Sequence, residues 1–65
     1  MIKVIAKYNN NRKNQTIYEG RNDKYGIYCS LYVPDDDYPY EVVIQEGTEE
    51  LFRGNYWKAI EWTKR

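Results

Sequence analysis

The sequence predicts an α+β fold: a small antiparallel sheet of about five strands with one C-terminal helix packed on one face. Three observations predict it. Short segments alternate apolar and polar side chains with period two, the signature of half-buried strands. Asn-, Gly- and Asp-containing turns separate them. The last eleven residues change to helical spacing. At 65 residues the chain makes one domain at most, spanning 1–65, with a small core and marginal stability.

The first segment, IKVIAKY, places Ile2, Val4, Ala6 and Tyr8 on one strand face and Lys3, Ile5 and Lys7 on the other. NNNRKN (9–14) reads as a turn, because Asn tolerates left-handed backbone angles. QTIYEGR is a second strand that pairs with the first as a hairpin and ends at Gly20 and the turn-like Arg21-Asn22-Asp23-Lys24. In YGIYCSLYV the alternation sends Tyr25, Ile27, Cys29, Leu31 and Val33 one way and Gly26, Tyr28, Ser30 and Tyr32 the other, so a third strand is expected. Pro34 ends it, since proline cannot donate to a ladder. PDDDYP is a loop, YEVVIQE a fourth strand, Glu46-Gly47-Thr48-Glu49 a turn and ELFRG a fifth strand.

After Gly54 the pattern switches. Asn55 is an N-cap residue, and Tyr56, Ala59, Ile60 and Thr63 follow at i, i+3, i+4 and i+7. Lys64 and Arg65 complement the dipole in the last turn. The alternative architecture is a small SH3-like β-barrel closed by this segment as a further strand. No internal repeat and no linker is visible.

Charge is unevenly distributed within a net of zero. Residues 1–24 carry six basic and two acidic side chains; residues 25–52 carry seven acidic and no basic ones; residues 53–65 carry four basic and one acidic. Neutrality argues against generic nucleic-acid affinity, which needs a positive footprint. With no histidine and a single cysteine, Cys29, the chain offers no intramolecular disulfide and no zinc site of nitrogen and sulfur ligands. Cys29 reads as a small buried hydrophobe on the core face. General acid–base work needs a group poised near neutral pH, so an enzyme is not expected, and no metal or cofactor is expected either. MIKVIAKY has no continuous apolar run, and a lone thiol suits a reducing compartment; the protein is expected in the cytoplasm, with no membrane partner. Phe, Tyr, Met, Ile, Asn and Lys fill 28 positions, against 12 for Gly, Ala, Arg and Pro. That usage points to an AT-rich genome, such as a low-GC bacterium or its phage.

The function expected is a small non-enzymatic protein-binding module, such as an inhibitor that occupies the surface of a host protein. Its candidate partner-binding residues are Tyr28 and Tyr32 on the uncovered sheet face, Asp35, Asp36 and Asp37 as a patch for a basic partner surface, and Trp57 and Trp62 as interface anchors. Calcium loops alternate their ligands and need a glycine, so the three adjacent aspartates do not form one. One alternative is nucleic-acid binding through a basic strip of Lys3, Lys7, Arg12, Lys13, Arg21 and Lys24 with interleaved tyrosines. A structural homodimer joined through the tyrosine face is the other.

Overall fold

The computed structural model describes residues 1–9, 11–32 and 38–65. Among these, the chain runs β1 (Ile2–Lys7), β2 (Gln15–Gly20), α1 (Lys24–Leu31), β3 (Glu41–Glu46), β4 (Glu49–Gly54) and α2 (Tyr56–Thr63). The strands form one antiparallel sheet in the order β2-β1-β3-β4. The α+β class therefore holds, with four strands and two helices in place of five and one. The sheet is open, so the SH3-like barrel is not formed.

The correction falls on YGIYCSLYV. Its described part is helix α1 and the C-cap Tyr32, capped at the start by Asp23, whose side chain accepts a hydrogen bond from Tyr25 N at 3.1 Å. Strands β2 and β3 both run antiparallel to β1 and are thus parallel to one another. A parallel crossover of this length ordinarily carries a helix. Width gives a second reason. Strands about 4.8 Å apart put the outer two about 15 Å from each other, more than one helix of about 10 Å diameter can cover.

Both helices lie on the face that carries Ile2, Val4, Val42 and Ile44, all fully buried with Ile27 and Leu31 of α1 and Tyr56 and Ala59 of α2. The expected inward face of β1 is correct. On α1, however, only Ile27 and Leu31 reach the core; Tyr25 and Cys29 are exposed. Helical spacing puts these two on another side of α1. The helices run antiparallel. Lys24, opening α1, donates to the carbonyl of Trp62 near the end of α2, and Lys64 reaches over the Tyr28 ring.

The two halves share one plan. Each is a hairpin followed by an eight-residue helix. In each, the second strand bulges at the same level, where Tyr18 opposes Val4 and Phe52 opposes Ile44. Such a bulge turns two adjacent residues to one face, which lets Ile17 and Tyr18, and likewise Leu51 and Phe52, all pack against the core. In each half a glycine, Gly20 or Gly54, closes the second strand, followed by an Asx N-cap, Asp23 or Asn55. Val4 and Ile44 face each other directly in the central β1–β3 pair, so an approximate two-fold axis passes between them. The repeat not visible in the sequence is thus present in the fold.

Candidate partner-binding surface

The sheet's open face is a charged surface. Register places Lys3, Ile5, Lys7, Glu41, Val43 and Gln45 there, with Glu19, Thr16, Arg53 and Glu50 opposite them. Its charges neutralise one another. Lys7 Nζ lies 2.9 Å from Glu41 Oε1, Arg53 Nη1 is 3.1 Å from that same oxygen, and Arg53 Nη2 is 2.9 Å from Glu50 Oε1. Lys3 and Glu19 form a longer pair at 3.7 Å. The hydrogen bond from Lys7, then the charges of Lys7 and Arg53, hold the Glu41 carboxyl below its ordinary range despite partial desolvation. A lowered value means that the ionised carboxylate stabilises the fold above the ordinary glutamate value of about 4.3, and that this contribution disappears as pH falls through the lowered value. The stability gap between the native chain and Glu41→Gln is therefore expected to be full above the ordinary glutamate range and to close as pH falls through the lowered value. Urea unfolding at a series of pH values measures it. A gap constant with pH would show that Glu41 does not act through its charge.

The other cations of the sequence-derived strip are dispersed. Arg12 stacks over the Tyr8 ring at 4.1 Å beside the exposed Lys13 of the β1–β2 loop; Arg21 is exposed after β2; Lys24 sits 4.2 Å over the Trp62 ring on the helical side. Lys3 and Lys7 alone share the open face, each with a carboxylate partner.

Aromatic side chains gather elsewhere, at the end of the molecule where α1 stops and α2 starts. Asn55 caps α2 by accepting from Lys58 N at 2.9 Å, which fixes the first turn that carries Tyr56 and Trp57. Tyr56 turns inward and is buried, while Trp57 is 61% exposed. Tyr38 lies against both, with ring centres 4.8 Å from Tyr56 and 5.0 Å from Trp57, and Tyr56 and Trp57 meet edge to face at 5.1 Å. Such offset and edge contacts suit the ring quadrupoles. The buried Pro39 and the bond from Tyr40 N to Lys7 O at 2.8 Å tie this segment to the sheet. Tyr32 and Tyr40 are exposed at 60% and 50%. Tyr32 caps α1 through its N–H to Tyr28 O and pairs loosely with the Tyr28 ring at 6.4 Å.

Tyr28 and Tyr32 are consequently not on the open sheet face; they belong to α1 and its cap. Of the two tryptophans, Trp57 is exposed, whereas Trp62 is half-buried against Phe52. Asp35, Asp36 and Asp37 lie outside the described residues, between Tyr32 and Tyr38 in the chain. No protein-family model matches the chain, and no curated protein or solved structure matches it. Among the described residues no helix is long and apolar enough to cross a membrane. Sequence reasoning passed over Tyr38 and Tyr56. The signal was an aromatic residue directly before Pro39, where a purely solvated loop has no use for one.

Proposed function

We propose that this chain is a non-enzymatic protein-binding module that occupies a basic surface on another protein. The observation that carries the reading is the Trp57 ring, exposed yet held in place by Tyr38 and Tyr56. A fixed, exposed tryptophan loses little freedom on docking, and Trp and Tyr dominate the energetic centres of interfaces. Charge supports the same reading. In the chain, Asp35, Asp36 and Asp37 directly precede Tyr38 with no cation anywhere in residues 25–52, although Glu41 and Glu50 of that stretch are paired with Lys7 and Arg53 on the open face. The Asp35, Asp36, Asp37 run speeds encounter with a basic surface by steering, and the rings then supply affinity. Blocking a host protein's basic surface in this way is how a small inhibitor acts.

The test is capture from a low-GC bacterial lysate on the immobilised chain, run alongside a variant with Asp35, Asp36 and Asp37 changed to Asn. Support requires a basic protein held by the native chain and released at lower salt by the variant. Retention equal on both, or nothing retained, counts against the reading. Light scattering after size exclusion separates out self-association: a dimer that disappears with Trp57→Ala would make the aromatic end a contact between copies instead.

A further inference from the structure

The two-fold plan makes the halves comparable position by position, and at one place they differ. In the first half, the Tyr18 ring lies over α1. Its hydroxyl donates to Arg21 O at 2.8 Å, and it sits so close to Gly26 that a Cβ there would be 3.2 Å from Tyr18 Cε1. The space between β2 and α1 is filled. In the second half Phe52 replaces Tyr18, without the hydroxyl, and Lys58 replaces Gly26. A cavity of about 290 Å³ remains between β4 and α2, lined by Phe52, Lys58, Glu61, Trp62 and Arg65. Lys58, Glu61 and Trp62 share one side of α2, and Arg65 follows just beyond the C-cap Lys64.

Chemistry narrows the occupant. The cavity has two aromatic walls, Phe52 and Trp62, with ring centres 6.4 Å apart and both half-buried. Its rim has two cations and one carboxylate. Neither Lys58 nor Arg65 has an ion-pair partner among the described residues. Lys24 Nζ, 4.2 Å over the Trp62 ring, helps fix that ring. We propose that this groove is a second docking site, which seats an apolar side chain of an acidic peptide against the packed Phe52 and Trp62 rings and takes the flanking carboxylates on Lys58 and Arg65. The site uses none of the residues assigned above to the aromatic end, and it stands or falls separately.

The probe is an N-acetylated peptide of four aspartates around a central leucine, titrated against the Trp57→Phe chain, in which Trp62 is the one indole. A saturable change in Trp62 emission is expected, along with amide shifts confined to α2 and β4 by NMR. Lys58→Glu with Arg65→Glu is expected to weaken binding about tenfold or more, while Glu61→Lys tightens it several-fold, as charge at a rim dictates. A matched peptide with lysines for aspartates should not bind, and glycine for the central leucine should weaken binding. No saturable response in either readout overturns the site. So does equal binding of the lysine peptide, or an affinity indifferent to all three charge changes.

Discussion

Replacing Ile44 with alanine is expected to lower the free energy of unfolding by about 2–5 kcal/mol, the usual cost of emptying a closed core position. Ile44 is fully buried, faces Val4 across the central strand pair, opposes Phe52 on the other side and lies under the helical layer. No neighbour is free to collapse into the vacated space without disturbing both halves. Against a total of about 3–10 kcal/mol for a chain of this length, that loss removes much of the native population. Ile5→Ala is the internal control. Ile5 sits on the open face and is only partly buried, so about 1 kcal/mol is expected. Urea unfolding followed by circular dichroism gives both values, and equal losses would contradict a main core cluster on the helical side of the sheet.

The second large effect concerns binding. Trp57→Ala is expected to weaken capture of the partner by about 2–4 kcal/mol, or thirtyfold and more, as loss of a central aromatic anchor does. Stability should change much less, because most of the Trp57 surface is already in water. The aspartates should behave differently. Neutralising Asp35, Asp36 and Asp37 is expected to slow association and flatten its salt dependence, whereas Trp57→Ala speeds dissociation. Kinetic traces on an immobilised partner distinguish the two. Should Trp57→Ala leave dissociation untouched, the aromatic end is not the interface.

Much of this architecture can be read from the residues. β1, both hairpin loops, β3, β4 and the Asn55-capped final helix follow from apolar spacing and turn chemistry, although the final segment also admits a strand reading and β4 carries a bulge. Residues 24–31 are ambiguous for a physical reason. Ile27 and Leu31 are two apart from Cys29 but four from each other, so they satisfy strand and helix alike. The aromatic side chains at Tyr25 and Tyr28 then fill whichever period is tried. What decides is not local: a sheet four strands wide needs a second helix, and Asp23 stands ready as its cap. The bulges mislead in the same way, since Ile17 with Tyr18 and Leu51 with Phe52 break alternation while all four pack on the core. The twin plan is hidden because the hairpins differ in loop length and the helices carry no identical residue at equivalent positions. Of the aromatic residues gathered at the start of α2, the place of Trp57 in the first turn was legible from the Asn55 cap. Tyr38 left one trace, its place before Pro39, but its ring partners Tyr56 and Trp57 lie far along the chain.

The paired bulges have a consequence for how this small sheet behaves in a crowded solution. Both outer strands, β2 and β4, carry the extra residue near their middle, where a flat strand from a neighbouring molecule would have to align its amides. Kinked borders of this kind frustrate the ladder-upon-ladder growth that turns exposed sheets into fibrils. The molecule is left to meet others through side chains, not through its backbone.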